Sequence, residues 1–180
     1  ENWRRIDDRS SELKIRRGGI FHNGDEFNAE TVRVNWEQYR EMEFPRVTKW
    51  NMVPDETKLK VIDKHRVRFT LPQPDAYAFV KFEWFFQISP AFFIENKFDE
   101  QRWGYLPEAG PWGTGPFVVV EGSLKWGKPS KKIVLEAYED YWDSRYPKVE
   151  RVIFDNVLME DRDRATRMCR ETEGAVDIVS

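Results

Sequence analysis

Side chains able to do covalent or acid–base chemistry are scarce in this sequence. His22, His65 and Cys169 are the whole supply of imidazole and thiol in 180 residues. A catalytic base needs a nucleophile within reach and a group to orient it. Each histidine instead sits beside a turn signal, with no His, Cys or Asp/Glu partner at a metal-ligand spacing. Both read as surface or hydrogen-bonded structural residues. One cysteine forms neither an internal disulfide nor a Cys-based zinc site. Gly-x-Ser-x-Gly, His-Glu-x-x-His and EF-hand patterns do not occur. Asp7-Asp8, Glu139-Asp140 and Asp161/Asp163 read as solvated or capping carboxylates. Gly113-Thr114-Gly115-Pro116 lacks the Lys-Ser/Thr of a phosphate loop and the last glycine of a dinucleotide fingerprint. Two glycines there permit a tight crossover, and Pro116 fixes the entry into a strand. The expectation is a protein that is not an enzyme, with no catalytic residue, no metal and no cofactor.

The elements that carry these residues can be read from periodicity. Leu13 to Arg16 alternates as a half-buried strand. Gly18-Gly19 permits a bend, and Asn23-Gly24 is a strong turn signal. Asn28 is placed as the N-cap of a helix from about Ala29 to Met42, with Val32, Trp36 and Tyr39 on one face. Pro45 is expected to end it. Leu59–Ile62 and Val67–Leu71 flank Asp63-Lys64-His65 as a hairpin. The first part of the aromatic stretch Tyr77 to Ile88 reads as a helix apolar nearly all round, hence buried. Pro90 starts a short helix through Glu95, and 102–112 is loop-like. Phe117–Glu121 and Lys132–Ala137 form a long hairpin, and Val152–Phe154 is another strand. Asp161 caps a helix to about Thr172, Gly174 follows it, and Val176–Val179 is a strand. Trp126 and Trp142 are expected to pack at the hairpin and hinge, and Lys125, Lys128, Lys131 and Lys132 to form a solvated basic loop.

Composition narrows the class. Hydrophobic residues make up 40% and charged residues 34%, with 8 Trp, 6 Tyr and 13 Phe, which excludes disorder as the main state. No apolar run is long enough to span a membrane as a helix. The net charge of −3 lacks the footprint of a nucleic-acid binder. A chain that stops within the apolar run Val176–Val179 leaves a sheet edge open, so the sequence reads as a piece of something larger.

Several segments, in one order, carry a resemblance. They are Leu13-Lys14-Ile15-Arg16-Arg17-Gly18-Gly19-Ile20-Phe21-His22-Asn23-Gly24, Phe27-Asn28-Ala29-Glu30-Thr31-Val32, and Val67-Arg68-Phe69-Thr70-Leu71-Pro72-Gln73-Pro74. Gly113-Thr114-Gly115-Pro116-Phe117, Asp140-Tyr141-Trp142 with Tyr146-Pro147-Lys148, and Gly174-Ala175-Val176-Asp177-Ile178 follow. The chain resembles the family 5 extracellular solute-binding proteins, the peptide, nickel and oligopeptide receptors of ABC importers. It departs from their pattern at Cys169-Arg170-Glu171-Thr172-Glu173 and at Glu139. The resemblance implies an α/β, type II periplasmic-binding-protein-like fold. It implies a partial chain, with a mixed α+β small extra domain over 1–112 and an incomplete part of the first lobe over 113–180.

By the same resemblance, the function is capture of a peptide-like or related small solute and its delivery to an ABC permease in the membrane. The location is extracytoplasmic, and no nucleic acid is involved. The family takes peptides, nickel chelates, haem, opines and oligosaccharides. Phe86, Gln87 and Ser89 match a segment near the cleft mouth. Trp112, Gly113 and Thr114 lie at the crossover between domains, close to the cleft. Core packing is the alternative for the aromatic segment, and a purely structural role for the glycines. A ligand-sensing domain of a regulator is the rival reading of the same fold. Because the second lobe has no counterpart here, this piece by itself is expected to bind ligand poorly.

Overall fold

The computed structural model describes residues 2–41, 54, 56–82, 85–95, 110, 112–124 and 130–156. The first half builds a four-stranded antiparallel sheet from β1 (Asn2–Arg5), β2 (Ser10–Lys14), β3 (Lys58–Asp63) and β4 (Arg66–Thr70), in the order β1-β2-β4-β3. β3 and β4 are joined by the two-residue turn Lys64-His65. Asp63 tightens that turn by accepting from the His65 amide at 2.9 Å. Register puts Leu13 opposite Val67 and Val61 opposite Val67 on its other side, so one sheet face is apolar.

Helix α1 (Ala29–Glu41) covers that face. It begins where the sequence places its cap: the Asn28 side-chain oxygen accepts from the amides of Glu30 and Thr31 at 2.9 and 3.2 Å. Val32 and Trp36, four positions apart, are buried against Val67, Phe69, Leu71 and Ile15. Phe69 is the centre of an aromatic cluster, with Trp36, Phe82 and Phe85 at centroid distances of 5.3, 4.3 and 6.5 Å.

The stretch after β4 corrects an expectation. Its helix, α2 (Ala78–Phe82), is five residues long and not buried all round. Ala78 is buried and Phe82 packs on the core, but Tyr77 and Val80 are 73% and 59% exposed. A helix this short turns only one stripe inward, so apolar composition alone does not bury every side. α3 (Pro90–Glu95) starts at its proline, as expected.

A second antiparallel sheet, β5-β6-β7, is formed by β5 (Phe117–Val119), β6 (Lys132–Ala137) and β7 (Arg151–Asp155). The expected hairpin is present, with Phe117 opposite Ala137. The expected end of α1 at Pro45, the loop 102–109, Trp126 and the elements placed over 161–179 lie outside the described residues.

Candidate functional site

The nominated residues fall on two segments that the fold brings into contact. The Ser89 amide donates to the Trp112 carbonyl at 2.9 Å, which joins 85–89 to 112–114. Each segment is pinned by a different device.

Asn35 holds the first. It is fully buried in α1, and its amide donates to the Ile88 carbonyl at 2.8 Å while its oxygen accepts from the Ile88 amide at 3.0 Å. A side chain thus satisfies both polar groups of one backbone unit, as a neighbouring strand would. Ser89, also fully buried, donates to Asp25 at 2.5 Å and accepts from Asn23 at 2.9 Å. The Ser89 hydroxyl and the Asn23 amide hold the Asp25 carboxyl below its usual range. Asn23 and Asp25 can meet Ser89 because Gly24 turns the chain at φ +89°, in the left-handed region that favours glycine.

His22 and Tyr138 hold the second segment. The His22 amide donates to the Gly113 carbonyl at 2.8 Å, and its ring Nε2 lies 2.9 Å from the Gly115 carbonyl. A carbonyl only accepts, so Nε2 carries the proton. The ring meets Tyr138 edge-on at 4.8 Å. The Tyr138 hydroxyl donates to the Phe21 carbonyl at 3.2 Å, and its amide to the Pro116 carbonyl at 2.9 Å. A Cβ at Gly113 would meet His22 Cε1 at 3.4 Å, van der Waals contact with the ring.

Of the six nominated residues, Phe86 is 62% exposed and Gln87 is half-buried. The Gln87 amide donates to the Phe85 carbonyl at 3.2 Å, while its buried Oε1 has no partner among the described residues. Trp112 packs edge-on against Phe92 at 5.6 Å. Ser89, with its hydroxyl committed to Asp25, and Gly113, with its carbonyl committed to His22, fasten the segments together. Thr114 lines a cleft of about 100 Å³ with Arg16, Gly19, Ile20, Phe27, Tyr138 and Trp142, where the Arg16 guanidinium stacks 3.3 Å from the Trp142 ring centroid. That is well short of the roughly 300 Å³ from which small-molecule sites usually start, so this cleft cannot enclose a dipeptide.

Sequence reasoning missed Asn35, Asp25 and Tyr138. Only Asn35 left a signal: it is a polar residue three positions after Val32 and one before Trp36, inside the apolar stripe of α1. Asp25 and Tyr138 act on backbone that is distant in sequence. His22 matches its expected hydrogen-bonded structural role.

The chain belongs to the bacterial extracellular solute-binding proteins, family 5, whose middle-region model matches residues 1–180. Among curated relatives, Di/tripeptide-binding protein 3 of Pseudomonas aeruginosa is 28% identical, over 86% of this chain and 31% of the relative. A glutathione-binding protein of Salmonella choleraesuis is 24% identical, over 78% of this chain and 25% of the relative. The crystal structure of the ABC transporter substrate-binding protein CtaP from Listeria monocytogenes superposes with a TM-score of 0.71 at 26% identity. The match covers 94% of this chain and 33% of that one. An oligopeptide-binding protein of Borrelia burgdorferi also gives 0.71, at 20% identity, over 96% of this chain and 36% of that one, which speaks to fold alone. The fold is therefore the type II periplasmic-binding-protein-like one, represented here by a partial chain. It spans about a third of the length of the relatives, which are named as peptide- and glutathione-binding proteins and, for CtaP, as an ABC transporter substrate-binding protein.

Proposed function

We propose that this chain forms one side of a solute-capturing protein that takes up a peptide-like ligand outside the cytoplasm and hands it to an ABC permease in the membrane. Family membership over all 180 residues carries this reading, and the relatives named for binding di- and tripeptides and glutathione support this ligand class. The ligand would be bound and released unchanged, without catalysis. Residues 1–112 would form the small extra domain and residues 113–180 part of the first lobe.

The junction supports a division of labour within the nominated residues. Ser89, Trp112 and Gly113 would hold two segments at fixed separation, and Phe86, Gln87 and Thr114 would meet the ligand. Gln87 is the polar member of that set with spare capacity: its buried Oε1 has no partner among the described residues, and a side-chain rotation toward the cleft would offer it to a peptide N–H. Hinge closure of a second lobe would supply the remaining contacts.

Thermal-shift screening of the full-length protein tests this, with di- and tripeptides, glutathione and nickel chelates as probes. A raised melting temperature with a peptide class, reduced by Gln87→Ala, is the expected result. No shift with any peptide, alongside a clear shift with a chelate, would overturn the ligand class. No shift with any probe would overturn capture itself.

A further inference from the structure

The sheet face turned away from the core has a charge pattern that solute capture does not use. Register sets Arg4, Glu12, Arg68 and Lys60 in one row across all four strands. The next row joins Lys14, Arg66 and Asp63, and the row on the other side places Lys58 beside Thr70 and Ser10. Six cations and two carboxylates therefore share one face of a chain whose net charge is −3. Arg4, Lys14, Lys58, Lys60 and Arg66 are exposed. Glu12 is only 4% exposed because Arg4 and Arg68 lie over it, at 2.8 and 2.6 Å, and their own side chains remain 67% and 38% exposed. Asp63 likewise faces Arg66 at 2.7 Å. Both carboxylates are thus engaged within the sheet, and the surface presented outward is cationic.

We infer that this face docks on the anionic headgroups of a phospholipid bilayer. Packing it against another protein surface would strip water from Lys58, Lys60 and the exposed sides of the paired arginines, a cost that further matched carboxylates would have to offset. Protein interfaces are also anchored by aromatic and apolar side chains in dry pockets, and the uncharged residues in these rows are Asn2, Ser10 and Thr70. Single-stranded nucleic acid is held by aromatic stacking, for which the rows offer no ring. An anionic membrane needs neither device. Each Lys or Arg within a Debye length adds attraction while staying hydrated. Four strands spread the cations over roughly 14 Å, enough to meet several headgroups at once.

Co-sedimentation of the full-length protein with lipid vesicles tests the inference. The vesicles are phosphatidylcholine alone, or phosphatidylcholine with about one-third phosphatidylglycerol. Binding to the anionic vesicles is expected to be at least about tenfold stronger than to the neutral ones, and to be lost in roughly 0.5 M salt. Soluble glycerophosphate, which carries the same group without the surface, is expected not to compete. K58E/K60E is expected to lower binding about tenfold or more, with an unchanged circular dichroism spectrum, whereas K131E, just before β6 and away from this face, leaves it intact. If the double variant fails to fold, K60E alone gives the same test with a smaller drop. Equal binding to both vesicles, anionic binding insensitive to the Lys58 and Lys60 changes, or retention of an acidic protein or oligonucleotide without vesicle binding would each overturn the inference.

Discussion

The two sheets are built from the same kind of antiparallel ladder, yet among the described residues only the first closes a core. Every buried hydrophobic residue among those described lies between Ile15 and Phe92. Among the described residues of 113–156 the buried ones are Ser130 and Asp143, both polar, while Ile153 and Phe154 are 52% and 53% exposed. The difference is one of cover. α1 and the aromatic segment lie on the first sheet, whereas none of the described helices packs on the second. A three-stranded sheet needs a covered apolar face to be stable, so among the described residues the second sheet draws its support from the junction with the first region.

This contrast can be broken at its strongest point first. Phe69→Ala removes the ring at the centre of the aromatic cluster and is expected to cost about 3–5 kcal/mol, read by urea denaturation of the 180-residue chain. Asn35→Ala comes next. It leaves the Ile88 amide and carbonyl without their partner, an expected cost of about 2–3 kcal/mol. It should also loosen 85–89, visible as faster hydrogen exchange at the Ile88 and Ser89 amides. Tyr138→Phe takes one hydrogen bond from the junction, for about 1 kcal/mol. Its sharper readout is selective: amide exchange should quicken in β5–β7 more than in β1–β4.

Acid tests the first region by another route. Hydrogen bonds from Arg68 and Arg4 hold the Glu12 carboxyl below its usual range, and Ser89 and Asn23 do the same for Asp25. The folded state then binds these protons less readily than the unfolded chain. The stabilisation is complete above the ordinary carboxylate range near pH 4, and is lost as the pH falls through the lowered folded values. Denaturation midpoints from pH 7 down to about 3 should fall in that window, and Glu12→Gln should flatten the fall. The smallest effect belongs to the second sheet, where Ile153→Ala in the 180-residue chain should stay within about 0.5 kcal/mol. A loss there as large as that of Phe69→Ala would erase the contrast.

Local chemistry made part of this legible in the sequence. The N-cap at Asn28, the turn after Asp63, the turn at Asn23-Gly24 and the proline start of α3 are decided by neighbours in the chain, and each stands where the residues place it. Burial in the Tyr77 segment was not legible, because composition cannot say how many turns a helix makes or which side meets the core. Glu12 shows the same limit: alternation points it outward, and nothing local says that Arg4 and Arg68 converge to cover it. The candidate site was legible as two segments and not as a junction. Ser89 meets Asp25 across 64 positions and Tyr138 meets Phe21 across 117, distances at which only the fold decides.

The central claim is that this chain supplies one side of a two-sided trap. Isothermal titration of a di- or tripeptide that shifts the full-length protein, run in parallel on that protein and on the isolated 180 residues, tests it most directly. The account predicts saturable heat from the full-length protein and none from the isolated piece at peptide concentrations about a hundredfold above the full-length Kd. Equal affinity in the two would contradict it.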